Sequence, residues 1–209
     1  MNAQTERLTY QGAEGAIEIA RDLPAEGQAR RGVAVIAHPH PLYGGTLDNK
    51  VVQTLARAFV ACGFVALRFN FRGVGGSSGV YDEGRGELQD MLAVVQQAAP
   101  DGPIALAGFS FGAFVASHAL AQLWGEGRVE RAILVGTACS RFTVAEVPQD
   151  AHEGTLVIHG EHDETVPLTS VMDWARPQQL PVTVVPGSGH FFHGQLPLLK
   201  NLAMRHLRP

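Results

Sequence analysis

The run Ile104-Ala-Leu-Ala-Gly108-Phe-Ser110-Phe-Gly112, continued by Ala113 to Trp124, decides how the rest of the chain is read. Residues 104–108 form an unbroken apolar stretch, the pattern of a strand buried on both faces. Residues 111–124 are long and apolar enough for a helix. Between them stands G-x-S-x-G. A strand that turns at once into a helix there pushes one side chain, that of Ser110, out at the carboxyl edge of a sheet. Glycines on both flanks permit backbone crowding that a Cβ would forbid. Ser110 would stand at a helix N-terminus, where free N–H groups and the macrodipole favour negative charge. The bare pattern also fits a serine that merely caps a helix. The strand before it and the helix after it favour a nucleophile.

Working outward, the same alternation repeats. Residues 17–22 read as an early strand, paired in a hairpin with the stretch around Leu8–Tyr10. Residues 33–37 and 64–69 are buried strands, as are 132–136 and 155–159. Residues 182–185 are the last strand. Val51, Val52, Leu55, Phe59 and Val60 have helical spacing over 49–62, with Asp48 as the expected N-cap. Leu88, Met91, Leu92 and Val95 mark another helix face, and 195–207 is a C-terminal helix. Strand–helix alternation predicts an α/β fold, a mostly parallel, doubly wound sheet of about seven or eight strands. No domain boundary interrupts it, so residues 1–209 are expected to form a single domain.

Composition narrows the class. The chain has 209 residues, 45% hydrophobic and 17% charged, too apolar to be disordered and long enough to bury a core without staples. Net charge is −4, and the sixteen basic residues are scattered, so neither nucleic acid nor an anionic membrane is an expected partner. Cys62 and Cys139 have no CxxC partner and read as buried thiols in a reducing compartment. Met1 to Tyr10 holds no apolar leader segment, and no apolar run reaches the ~18 residues of a membrane span. A cytoplasmic location is expected.

A serine hydroxyl needs a base, and the base needs an orienting acid. His159-Gly-Glu-His-Asp163-Glu-Thr-Val-Pro167 follows one late strand, and Gly187-Ser-Gly-His190-Phe-Phe-His193 follows the last. Ser110, Asp163 and His190 thus occur in the order Ser, Asp, His, each just past a strand's carboxyl end, where parallel sheets build their sites. Glu161 and His193 are the alternative acid and base. His38 and His40 invite a metal, yet no HExxH or Cys cluster exists, so no metal and no cofactor are expected; His38 is read as bracing its own loop. Arg72 is read as making a structural ion pair or hydrogen bonds to loop carbonyls, with contact to an acidic substrate as the alternative. The glycines at 73, 75, 76 and 79 lack GxxxxGK[ST] and are read as a turn, not a phosphate cradle.

These residues resemble the α/β-hydrolase superfamily from Val33 to the final helix. Ser110 matches its nucleophile, Asp163 its acid and His190 its base. Gly160 to Pro167 looks like its acid turn, Arg68 to Ser77 like the motif after its fourth strand, and His38 to Gly45 like its oxyanion loop, with His38-Pro39 where most members have His-Gly. The chain is similar to compact lidless bacterial hydrolases, resembling dienelactone hydrolases and small esterases. The former use a cysteine nucleophile, and Ser110 argues against that activity. The resemblance implies a serine hydrolase cleaving a small carboxylic ester or thioester through an acyl-enzyme on Ser110. Phe111 N–H would be one oxyanion donor. Pro39 and Pro41 have no N–H, which leaves His40 as the first choice for the other and Leu42 as the second. Tyr43 and Phe191 are the expected substrate-binding rim, with Phe111 and Phe192 beside them and Phe109 read as core. Residues 137–154, after the sixth strand, are too few for a cap, so an open, shallow site is expected. That exposed rim leaves room for a homodimer. A peptidase or amidase with the same triad is the sibling reading, and a catalytically silent binding module the rival. Nucleotide binding is disfavoured, because no G-x-G-x-x-G follows the first buried strand.

Overall fold

A computed structural model of the chain describes residues 5–208. The reading of Met1 to Tyr10 as leaderless therefore falls partly outside the described residues. Strands β1 (Thr5–Gly12), β2 (Gly15–Asp22), β3 (Gly32–Ala37), β4 (Phe64–Phe69), β5 (Ile104–Phe109), β6 (Val129–Val135), β7 (Thr155–Gly160) and β8 (Val182–Val185) form one sheet. Its order is β1-β2-β4-β3-β5-β6-β7-β8. The β1–β2 hairpin and the β2–β4 pair are antiparallel, and every later pair is parallel. This is the doubly wound arrangement that the resemblance implies.

Alternation along each central strand explains why both faces are covered. Val35, Leu67, Leu106 and Leu134 point into one core, shared with α2 (Arg85–Ala98), α3 (Phe111–Leu123) and α4 (Leu168–Ala175). Their neighbours Ile36, Ala66, Ala107 and Ile133 point into the other, shared with α1 (Lys50–Ala61) and α5 (Leu196–Leu207). Strands apolar at every position can satisfy both layers.

Three local expectations change. The N-cap of α1 is Asn49, not Asp48: Asn49 Oδ1 accepts from Val51 N–H at 2.9 Å and from Val52 N–H at 3.5 Å. Asp48 is drawn instead to Arg68 and Arg7, at 3.0 and 2.8 Å. Helix α4 was not expected from the apolar spacing. Cys62 and Cys139 are free thiols but half-buried. Residues 137–154 hold one short 3-10 turn, Gln149–Ala151, and no cap. No described helix is long and apolar enough to cross a membrane.

In the glycine-rich turn after β4, several N–H groups bond to the protein itself. Gly73 N–H donates to Ser78 O, Ser78 N–H to Ala16 O, and Gly76 N–H to the Glu18 carboxylate. A carboxylate where a phosphate would sit supports the turn reading. Arg72 makes a buried bidentate pair with Asp90, at 3.0 and 2.8 Å, and does not line the cleft described below.

His38, fully buried just past β3, ties that strand's end to the chain leaving β4. Its Nε2 accepts from Phe71 N–H at 3.0 Å, so the ring proton lies on Nδ1, which donates to Pro39 O at 2.6 Å. Burial lowers its pKa to about 4, against the hydrogen bond to Pro39 O. The folded protein thus holds His38 neutral where the unfolded chain protonates it. The stabilisation is complete above the unfolded value of about 6.5 and is lost as pH falls toward about 4, a change of about 3 kcal/mol at ~1.4 kcal/mol per pKa unit. An NMR titration should find His38 neutral until about pH 4; titration near the ordinary histidine value contradicts this account. Asp90→Ala leaves Arg72 charged and buried, and urea unfolding should report a loss of about 3–5 kcal/mol; a loss under ~1 kcal/mol would mean the pair is not holding the turn.

Candidate active site

Ser110 has φ 57° and ψ −115°, a left-handed backbone that a non-glycine residue adopts only under constraint. The surroundings supply that constraint. Ser110 N–H donates to Val135 O of β6 at 2.8 Å. A Cβ on Gly108 would lie 2.1 Å from Gly112 O, and one on Gly112 would lie 2.4 Å from Ala37 O. Only glycine at both places lets β3, β5 and the first turn of α3 close around the serine. Among the described residues no hydrogen bond uses the Phe111 N–H, the first of α3.

Asp163 and His190 come from neighbouring turns past β7 and β8 that are stitched together. His162 N–H donates to Ser188 O at 2.8 Å, and Gly187 N–H to Glu161 Oε2 at 2.8 Å. A Cβ on Gly160 would meet Ser188 O at 2.5 Å. Asp163 Oδ1 accepts from Val166 and Thr165 N–H, at 2.7 and 2.9 Å, and Oδ2 is 2.6 Å from His190 Nδ1. Burial pushes the Asp163 pKa up, but the hydrogen bonds from His190 and Val166 N–H and the nearby imidazoles outweigh it, and the net shift is downward. Behind it, His159 is fully buried, its Nε2 donating to Val166 O at 2.9 Å and lying 3.4 Å from Asp163 Oδ2. Burial lowers the His159 pKa, so this contact is a neutral dipole beside the carboxylate and not an ion pair. His159 was not singled out in the sequence. Glu161, the alternative acid, is exposed and braces the β8 turn. His193, the alternative base, is exposed beside Phe191.

The His190 ring packs on Phe109, with centroids 4.8 Å apart, above Gly136. Ser110 and His190 both open on one cleft of about 460 Å³. No hydrogen bond joins the two side chains. Such contacts are often loose in ligand-free enzymes and tighten around the substrate.

The loop after β3 discriminates between the two expected oxyanion donors. His40 O accepts from Tyr43 and Gly45 N–H, both at 3.1 Å, and His40 Nδ1 accepts from Leu42 N–H at 3.2 Å. Leu42 N–H is therefore committed to capping its own turn, and Leu42 does not line the cleft, which corrects that expectation. His40 N–H has no partner among the described residues, and His40 lines the cleft. Tyr43 and Phe191 line it too and are exposed, whereas Phe109 and Phe192 are core.

The site has no cap, and one side of it is lined by a loop. Ala138, Arg141 and Phe142, from the loop after β6, build a wall that no motif announced. Phe142 stacks on Phe114 with centroids 4.7 Å apart and meets Phe111 edge-on at 5.2 Å. That packing holds the loop in place without a cap. Among the described residues no group of three or more His, Cys, Asp and Glu side chains converges on a metal-sized site.

Comparison with known proteins agrees with this architecture. The profile of the family described as alpha/beta hydrolase fold matches residues 42–154. A lidless α/β serine hydrolase from Xanthomonas campestris is 34% identical, with a TM-score of 0.87 over 99% of this chain and 95% of that one. An α/β serine hydrolase homologue from Coxiella burnetii is 37% identical, with a TM-score of 0.81 over 99% of both chains. An uncharacterized protein of Rickettsia prowazekii is 40% identical over 114 residues, 53% of this chain and 47% of the relative, so the match spans about half the length of that curated protein. The extent of these matches and the strand order make one conclusion plain: the chain belongs to the α/β-hydrolase fold family.

Proposed function

We propose that this protein is a serine hydrolase that cleaves a small carboxylic ester or thioester through an acyl-enzyme on Ser110. The observation that carries the reading is the strained Ser110 turn, which opens beneath an unspent Phe111 N–H on the same cleft as a His190 already held by Asp163.

The chemistry follows from those positions. His190 Nε2 removes the Ser110 Oγ proton as Oγ bonds to the substrate carbonyl carbon. Asp163 accepts the Nδ1–H bond, fixes the tautomer and stabilises the imidazolium. The carbonyl electron pair moves to oxygen, facing the N–H groups of Phe111 and His40, each such donor contributing about 3 kcal/mol. Collapse of the intermediate breaks the bond to the alkoxide or thiolate, which leaves with the proton from His190. Water, deprotonated by His190, then attacks the acyl-enzyme, and the acid departs as Ser110 regains its proton. The cleft of about 460 Å³ suits a small substrate.

The missing Ser110–His190 hydrogen bond is the one observation that favours a silent binding module. Activity separates the two. With a short activated ester, Ser110→Ala should lower kcat/KM by roughly 10³–10⁶-fold with the fold intact by circular dichroism. Retention of more than about a tenth of the wild-type rate contradicts the assignment.

A further inference from the structure

Arg141 stands out from the other charges around the cleft. It is exposed, lines the cleft and has no ion pair or hydrogen bond to its side chain among the described residues. Arginines elsewhere in the fold, such as Arg68, Arg72, Arg85 and Arg176, are matched by carboxylates. No Asp or Glu lines the cleft, and the nearby Asp163 is buried and committed to His190 and two backbone N–H groups. In a chain with a net charge of −4, Arg141 is the only Arg, Lys, Asp or Glu among the residues lining the cleft.

The neighbouring groups are donors. His40 Nδ1 is occupied as an acceptor from Leu42 N–H, so a neutral His40 carries its proton on Nε2. Burial lowers the His40 pKa, and the charge of Arg141, which lines the same cleft, lowers it further. Asn49 also lines the cleft and spends its Oδ1 on the helix cap, leaving its amide N–H groups as its donors. A wall with one fixed cation, these donors and no carboxylate is complementary to a substrate anion. One planar guanidinium matches one carboxylate in charge and shape.

We propose that Arg141 forms an anion subsite beside Ser110, and that the preferred substrates are small esters carrying a free carboxylate. This inference rests on the hydrolase reading and specifies its substrate class. Arg141 binds the group that does not react, so its effect falls on discrimination between charged and neutral substrates.

Two pairs of esters, each setting a carboxylate against a methyl group, test it. Monomethyl glutarate against methyl pentanoate places the charge on the acyl side. 4-Acetoxybenzoate against 4-methylphenyl acetate places it on the leaving group. In at least one pair, wild-type kcat/KM should favour the anion by about tenfold or more, the scale of one charge-assisted contact. Arg141→Gln should bring that ratio near one, mainly through KM, Arg141→Lys should restore part of it, and added salt should narrow it. Turnover of the neutral esters with no preference in either pair, or a preference that Arg141→Gln leaves intact, overturns the subsite while the hydrolase reading stands. Turnover of none of the four esters overturns both.

Discussion

The backbone crowding around Ser110 is the constraint on which the rest of the site depends. Two glycines let α3 start almost in contact with the ends of β3 and β5, where a Cβ would come within 2.4 Å of backbone oxygen. Ser110 takes the residual cost as a positive φ, a strain on the order of 1–3 kcal/mol. The parallel core offsets it. Ile104, Leu106 and Ala107 are fully buried, and the bond from Ser110 N–H to Val135 O fixes the turn to the next strand. The same closeness brings the unspent Phe111 N–H and the loop after β3 to one place. Ser110 and the unspent N–H groups near it are thus a single packing solution.

The turns past β3, β7 and β8 repeat this logic with hydrogen bonds. His38 is neutral because it is buried, and only the neutral ring can accept from Phe71 while donating to Pro39. Asp163 stays ionised despite burial because two backbone N–H groups and His190 supply what water would have. One imidazole is held uncharged for structure and one carboxylate is held charged beside His190. Both outcomes follow from which partners each group finds. Phe142, held by aromatic packing on Phe114 and Phe111, lines the cleft together with Arg141.

Legibility in the sequence tracked how local the causes were. Buried parallel strands are continuous apolar runs, so the core of the sheet could be read directly, and Phe64–Phe69 and Val182–Val185 have the bounds expected of them. Ser110, Asp163 and His190 could be picked out as candidates because each lies just past a strand end. Helix α4 was missed because it has eight residues and buries only Val171 and Ala175, so its stability comes from the surface it meets. Asp48 and Asn49 can both cap a helix; the choice between them was made by Arg68 and Arg7, which lie far away in sequence. Arg141 and Phe142 sit in a loop with no motif, and only Phe114 across the fold shows why they form a wall. His40 and Leu42 were separable only once their N–H partners were visible.

The most direct test is whether Ser110 is a nucleophile activated by His190. A fluorophosphonate probe reacts covalently with such a serine, and peptide mass mapping locates the adduct. The account predicts one adduct on Ser110 in the wild type and its loss in folded His190→Ala. A folded wild-type protein that forms no adduct, or an adduct formed equally fast without His190, would contradict it.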